Sequence, residues 1–108
     1  MSDGWQPVAD LSEITDRGRL GLDLEGRGVV LYRIGDSVWA LGGTCPHRGA
    51  PLSEGALAGP TITCPWHGAR FDVRTGARLR GPACPDLGRH EVRIEGTRIL
   101  VRLLAAPE

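Results

Sequence analysis

Two short runs, Cys45–His47 and Cys64–His67, constrain this chain more than any other feature of its sequence. The first run reads Cys-Pro-His and the second reads Cys-Pro-Trp-His, so each supplies one thiol and one imidazole. Such close spacing lets a single tight turn present both side chains to the same metal ion or cluster. Thiolate and imidazole ligands suit zinc, copper or iron-sulfur chemistry. The remaining sequence is therefore interpreted as a scaffold that brings two ligand loops together.

Length and charge exclude several classes of protein. With 108 residues, the chain is predicted to form one domain over residues 1–108, and we expect a monomer. The formal net charge is zero, so nothing in the composition indicates a partner that is a nucleic acid or an anionic membrane. The sequence shows neither a signal peptide nor an apolar run of about 20 residues, which a membrane span requires. We therefore expect a cytoplasmic protein, whose thiols stay reduced and available to metal.

The pattern of apolar residues predicts an all-β fold. Leu20–Leu24 places apolar residues at every second position, and Gly35-Asp36 separates two strand-like runs as a hairpin turn does. Asp10 and Glu13 have the spacing of a helix start, but nearby glycines limit the helix to one turn. We predict strands over residues 5–8, 20–24, 29–34, 37–41, 61–63, 70–73, 77–79, 90–94 and 98–103. Many short strands with little helix indicate an antiparallel sandwich or barrel.

Irregular segments separate these strands where the candidate ligands lie. The run 37–41 ends just before Cys45, and the short strand 61–63 ends directly at Cys64. Residues 46–59 are rich in proline and glycine and are predicted to form an ordered loop, and residues 81–86 form a third irregular segment. Residues 105–108 are expected to be a frayed tail.

The two runs and the residues that follow them resemble a known family. Cys45–Leu52 reads CPHRGAPL, and Cys64–Asp72 reads CPWHGARFD, with Thr75-Gly76 following. Together they resemble the Rieske iron-sulfur domains, and the similarity covers almost the whole chain. Gly81-Pro82 fits the proline loop of that family. The resemblance implies an antiparallel β-sandwich or barrel whose cluster-binding part, about residues 43–84, consists of two ligand loops plus the proline loop.

The resemblance also implies a ligand set. Cys45 and Cys64 would bind one iron of a [2Fe–2S] cluster, and His47 and His67 would bind the other. Neutral imidazoles in place of two thiolates make the oxidised cluster electrically neutral, which raises its reduction potential above that of all-cysteine clusters.

Residues absent around the cluster indicate which kind of Rieske domain this is. High-potential respiratory members carry serine and tyrosine hydroxyls that donate hydrogen bonds to the cluster sulfurs, and here Ala69 and Phe71 occupy those positions. The respiratory members also join their ligand loops by a disulfide, and Ala50 and Trp66 stand at the matching positions. The resemblance therefore predicts a low-potential ferredoxin of the type that serves bacterial ring-hydroxylating dioxygenases.

Such a protein would carry single electrons and would have no catalytic residues of its own. The expected partners are a flavin- or ferredoxin-linked reductase, which supplies the electron, and a terminal oxygenase, which receives it. One alternative is the small subunit of an assimilatory nitrite reductase, although relatives of that kind can lack the four ligands. Another alternative is an interaction module stabilised by zinc, because two cysteines and two histidines also suit a structural zinc site.

Several further residues receive predicted roles. Pro46, Arg48, Trp66 and the loop around Pro82 are predicted to form the rim on which partners dock. Trp66 could equally shield the cluster from water, and Arg48 could equally be a solvated charge. Trp5, Trp39 and Phe71 are predicted core residues, with Trp39 below the first ligand loop. His90 follows a strand pattern and is predicted to be a core or surface residue and not a ligand. Cys84, the third cysteine, is predicted to be an inert buried thiol, with a redox-sensitive thiol near the cluster as the alternative.

Overall fold

The structure, a computed structural model, describes residues 4–43, 52–65, 68–80 and 87–104. These residues form ten strands and two single turns of 3-10 helix, at Leu11–Glu13 and Leu52–Glu54. The strands are β1 (Trp5–Asp10), β2 (Arg19–Leu24), β3 (Arg27–Ile34), β4 (Ser37–Gly42), β5 (Ala56–Ala58), β6 (Thr61–Thr63), β7 (Arg70–Asp72), β8 (Arg78–Arg80), β9 (Arg89–Glu95) and β10 (Arg98–Arg102). The described part of the chain contains no helix of the length and apolar character that crossing a bilayer requires.

The strands form two antiparallel sheets. The larger sheet has the order β1-β10-β9-β4-β3-β2, and the smaller has the order β5-β6-β7-β8. Within the larger sheet, β4 and β9 are joined through only two residue pairs, Ala40 with His90 and Leu41 with Arg89. The predicted all-β architecture of packed antiparallel sheets is therefore confirmed.

Strand β3 lies between two hydrophobic clusters. This position explains why apolar and polar residues do not alternate in its sequence. Val29 and Leu31 point into a cluster on one face, whereas Val30 and Tyr32 point into a cluster on the other. All four side chains are buried. A strand covered on both faces reads as a continuous apolar run, which is what the sequence shows.

The second of these clusters joins the small sheet to the large one. We call it the inter-sheet cluster, and it contains Val30, Tyr32, Leu41, Leu52, Ile62, Cys64, Ala69, Phe71, Val73 and Leu87. Phe71 from β7 and Ile62 from β6 are fully buried in it. Burying a phenylalanine or an isoleucine contributes roughly 1.5–3 kcal/mol each, so this cluster fixes the small sheet on the large one.

All nine predicted strands are confirmed, with ends that differ by at most two residues. The prediction of a loop over residues 46–59 is wrong in its described part, residues 52–59. There the structure has a 3-10 turn, followed by β5 at Ala56–Ala58, which pairs with β6. Two of the three residues of β5 are alanines, which have a low strand propensity. This strand therefore depends on its pairing with β6, and its own sequence does not indicate a strand.

The predicted single helical turn near the N-terminus is also confirmed. Asp10 caps it, because its carboxylate accepts a hydrogen bond of 3.0 Å from the backbone N–H of Ser12. The Glu13 carboxylate accepts from the backbone N–H of Asp10 at 2.7 Å, which completes a capping box.

The three predicted core aromatic residues have different outcomes. Phe71 is fully buried, and Trp39 is partly buried and packs against the inter-sheet cluster. The prediction for Trp5 is wrong, because its ring is only half-buried on edge strand β1. The guanidinium groups of Arg102 and Arg93 lie 5.0 and 5.6 Å from the centre of the Trp5 ring, so cation–π contacts replace core packing there.

His90 is a buried structural residue, as predicted. Its Nδ1 atom accepts a hydrogen bond of 3.0 Å from the backbone N–H of Leu104, which requires the neutral ring. Burial lowers the pKa of His90 below its usual value, and the positive charge of Arg27 lowers it further.

The lowered pKa predicts a stability change in mild acid. As pH falls through the usual histidine pKa of about 6.5, the unfolded chain binds a proton that folded His90 resists. The wild-type protein is therefore expected to lose more unfolding free energy between pH 7.5 and pH 5 than His90→Gln does. Urea unfolding of both proteins at the two pH values measures this difference, and equal losses would contradict the prediction.

Candidate metal centre

The second ligand run begins where strand β6 ends. The backbone N–H of Cys64 donates to the carbonyl of Ala69 over 2.7 Å, and the N–H of Gly68 donates to the carbonyl of Cys64 over 3.2 Å. These two bonds close a tight turn from position 64 to position 69. Gly68 has a φ of +72°, and a Cβ atom there would meet nothing within 4 Å, so the backbone conformation is what favours glycine. The described residues on either side of positions 66 and 67 are thus joined by backbone hydrogen bonds.

Cys64 lies in apolar surroundings at the edge of the inter-sheet cluster. The residue is only 2% exposed, and Ile62, Ala69 and Phe71 belong to the same cluster. Burying an isolated charge in such a place is costly. Two thiolate and two neutral imidazole ligands would make an oxidised two-iron cluster electrically neutral. A neutral centre of that kind suits this apolar position. The surroundings of Cys64 therefore fit the group that the donor set implies.

The first ligand run belongs to a segment that is closed at its base. The backbone N–H of Leu52 donates to the carbonyl of Gly43 over 3.0 Å, which joins the residues on either side of segment 44–51. Gly43 in turn donates to the carbonyl of Gly28 over 2.9 Å. A Cβ atom at position 43 would lie 3.1 Å from the backbone carbon of Gly28, so glycine permits this close approach to β3. The residues on either side of the segment that contains Cys45 and His47 are therefore bonded to each other, and Gly43 ties them to β3 of the large sheet.

The two residues that follow the third predicted loop, residues 81–86, are bonded to the same region of the structure. Leu87 follows it, belongs to the inter-sheet cluster, and donates its N–H to the carbonyl of Gly76 over 2.8 Å. The next residue, Gly88, accepts a hydrogen bond of 2.8 Å from the N–H of Gly42. Gly42 is followed by Gly43, the last described residue before segment 44–51. The ends of all three segments thus meet beside the inter-sheet cluster.

Only one of the four predicted ligands, Cys64, is among the described residues. Cys45, His47 and His67 lie outside them, as do Pro46, Arg48, Trp66, Pro82 and Cys84, so their predicted roles stay predictions. Within the described residues there is no group of three or more histidine, cysteine, aspartate or glutamate side chains that could hold a metal ion. What the structure adds is the anchoring of the segments that carry the ligands.

Two of the four positions that distinguish kinds of Rieske domain are described. Ala69 and Phe71 are both fully buried and belong to the same cluster as Cys64. Neither carries a hydroxyl, so no hydrogen bond to a cluster sulfur can come from these side chains. The other two positions, Ala50 and Trp66, lie outside the described residues.

The residues that close the ligand segments are not among the predicted site residues. Gly43, Leu52, Gly76 and Leu87 do so through backbone groups, which no ligand motif reveals. Glycines directly before a ligand run or at a hairpin turn are the signal that was available. Gly76 shows a close approach, because a Cβ there would lie 2.4 Å from the carbonyl oxygen of Leu87.

Comparison with known sequences agrees with the family resemblance of the two runs. The family model of the Rieske [2Fe-2S] domain matches residues 4–100. The ferredoxin component of a naphthalene 1,2-dioxygenase system from Pseudomonas aeruginosa is 36% identical over 103 residues, which cover 95% of this chain and 99% of the relative. The ferredoxin component of the 2,4-dinitrotoluene dioxygenase system from Burkholderia sp. (strain RASC) is 35% identical over the same shares of the two chains.

Solved structures agree with the architecture. The ferredoxin of carbazole 1,9a-dioxygenase from Nocardioides aromaticivorans IC177 superposes with a TM-score of 0.88 at 35% identity, covering 93% of this chain and 98% of that one. A chain of the complex of reduced oxygenase and oxidized ferredoxin in carbazole 1,9a-dioxygenase gives a TM-score of 0.87 at 33% identity. That match covers 94% of each chain.

Proposed function

This chain belongs to the Rieske [2Fe-2S] domain family, and on that premise we propose that it is a soluble, cytoplasmic one-electron carrier. It takes an electron from a flavin- or ferredoxin-linked reductase and delivers it to a terminal oxygenase. The observation that carries the proposal is the match to ferredoxin components of dioxygenase systems over 95% of this chain and 99% of the relative. The aligned region spans nearly all of that relative, which is itself a ferredoxin component and not an oxygenase.

The cofactor is a Rieske-type [2Fe–2S] cluster, and the proposed ligands are the two predicted pairs. Cys45 and Cys64 would hold one iron, and His47 and His67 the other. Residues 1–108 would form one domain, with the cluster held by its part from about 43 to 84. The closed turn at Cys64 and the closed base of segment 44–51 support this assignment, because they fix the loops that carry the ligands.

When bound, the cluster accepts and releases one electron at a time. The chain itself contributes a scaffold that stays fixed while the charge changes. Cys64 lies among apolar side chains that exclude water from one side of the site. Segment 44–51 is closed at its base by the bond of Leu52 to Gly43, and the second ligand run lies between strands β6 and β7. The protein is thus an electron-transfer component and is not a catalyst by itself.

The proposed reduction potential is low within the Rieske range. Ala69 and Phe71 offer no hydroxyl, so the hydrogen bonds that raise the potential of respiratory members have no donor at these positions. Redox titration followed by the visible spectrum measures the midpoint. A value well above about +100 mV would contradict this part of the proposal.

The relatives also bear on the two alternatives. The curated proteins named above are components of dioxygenase systems, which favours an oxygenase partner over an assimilatory nitrite reductase. Membership of the Rieske family favours iron and sulfide over structural zinc.

Electron delivery is the direct test of the proposed function. The reduced protein is mixed anaerobically, in a stopped-flow instrument, with each of several oxidised terminal oxygenases. These include the oxygenases of naphthalene, 2,4-dinitrotoluene and carbazole dioxygenase systems. We expect reoxidation of this protein and matching reduction of at least one oxygenase, on a timescale fast enough to support turnover of about 1–10³ s⁻¹. If no oxygenase of the panel is reduced, the proposed function is wrong.

A further inference from the structure

The hairpin of β7 and β8 begins and ends beside the candidate metal centre. Arg70 opens β7 immediately after the closed turn of Cys64–Ala69, and Arg80 ends β8 immediately before segment 81–86. The two strands are antiparallel, and Arg70 pairs directly with Arg80. Both arginines therefore lie at the end of the small sheet that carries the second ligand turn and the predicted proline loop.

The pairing of Arg70 with Arg80 is not expected to stabilise the fold. Like charges directly opposite each other on neighbouring strands are destabilising, and both residues are exposed. Among the described residues, neither forms an ion pair, whereas Arg74 pairs with Asp72 and Arg102 pairs with Glu91. The arrangement thus presents two guanidinium groups that no carboxylate of the described ranges pairs with, at the edge of the centre.

Leu79, which directly precedes Arg80 in the sequence, is an exposed apolar residue. Leu79 is 54% exposed, the most exposed of the large hydrophobic residues in the described part of the chain. The pairing of β7 with β8 passes from Arg70–Arg80 to Phe71–Arg78, so Leu79 is the extra residue of a β-bulge. Bulges re-aim side chains and are frequent next to functional sites. An apolar side chain rimmed by charge is typical of a protein–protein contact.

We propose that Arg70, Leu79 and Arg80 form a docking surface for the terminal oxygenase, whose facing surface carries carboxylates around an apolar recess. The inference rests on the proposed function and extends it to the chemistry of the partner. Two arginines attract an acidic surface over a long range and align it bidentately at contact. A relative of this chain has been solved in a complex with an oxygenase, which favours that partner over the reductase. The surface adjoins the ligand turn, so docking there brings the partner close to the centre.

The test removes the two charges and compares a matched control. Arg70→Gln/Arg80→Gln and Arg17→Gln/Arg98→Gln each lower the net charge by the same amount. Arg17 and Arg98 are also exposed but lie at the opposite end of the large sheet, where β3 ends and β10 begins. The second-order rate constant for electron transfer to the oxygenase found in the test above is measured by stopped flow over a range of salt concentrations.

We expect the Arg70→Gln/Arg80→Gln protein to react about tenfold more slowly at low salt, with a shallower salt dependence. The control is expected to stay within about twofold of wild type, and the midpoint and EPR spectrum of both proteins should not change. Leu79→Ser is expected to weaken binding about tenfold while keeping the wild-type salt dependence, since it removes apolar contact and no charge.

The outcomes separate this inference from the proposed function. If wild type reduces the oxygenase and Arg70→Gln/Arg80→Gln does so equally fast, the docking surface is wrong and the carrier function stands. If the variant is slowed only in accepting electrons from the reductase, the surface belongs to the reductase and the inference is also overturned. If wild type reduces no oxygenase, the proposed function fails first.

Discussion

Replacing Cys64 with serine is expected to leave a chain that retains less than about a tenth of the wild-type cluster. A serine hydroxyl is a much poorer ligand for iron than a thiolate, because it is harder and remains protonated at neutral pH. The replacement also occurs in a place that is 2% exposed, and the described residues contain no group of three or more histidine, cysteine, aspartate or glutamate side chains that could hold the metal instead. Iron and acid-labile sulfide per chain, together with the visible spectrum and the EPR signal of the reduced protein, measure the loss.

Cys84→Ser is the matched control, since it makes the same change at the cysteine that belongs to neither ligand run. It is expected to keep the wild-type iron content, spectrum and midpoint. Cys64→Ser with full iron content and an unchanged spectrum would contradict the ligand assignment. So would loss of the cluster in Cys84→Ser together with its retention in Cys64→Ser.

The parts of the fold that the sequence predicts are those with a local signal. Strand β3 is a continuous apolar run, β2 alternates, and Asp10 with Glu13 marks the 3-10 turn. Strand β5 has no such signal, because two of its three residues are alanines and it exists through its pairing with β6. Trp5 misleads for a related reason. Its size indicates burial, but two arginines from neighbouring strands cover it at the sheet edge.

The candidate site likewise has a part that the sequence predicts and a part that it does not. The four proposed ligands fall into two runs of close spacing, so residue order alone predicts which residues they are and groups them into two loops. The bonds that hold those loops connect residues distant in sequence or involve only backbone atoms. Leu52 with Gly43 and Leu87 with Gly76 are examples. No residue type specifies such a bond, and glycine indicates only that a close approach is possible.

Gly76→Ala tests whether these backbone anchors hold the site. Gly76 has a φ of +82°, and an added Cβ would lie 2.4 Å from the carbonyl oxygen of Leu87, so the chain must shift where it leaves segment 81–86. We expect the free energy of unfolding to fall by roughly 3 kcal/mol, which combines left-handed backbone strain with steric overlap. Denaturant unfolding of the iron-loaded proteins measures this loss, and iron content after purification reports the effect on the site.

Gly96→Ala separates strain from overlap. Gly96 also has a positive φ, +65°, but a Cβ there would meet nothing within 4 Å, and it turns the hairpin at the far end of β9 and β10. Its replacement is expected to cost only about 1 kcal/mol and to leave the iron content unchanged. Equal losses in the two variants would mean that the contact of Gly76 with Leu87 contributes nothing beyond backbone strain. A larger loss in Gly76→Ala with lower iron content would instead tie the stability of the centre to the point where the third segment rejoins the sheet.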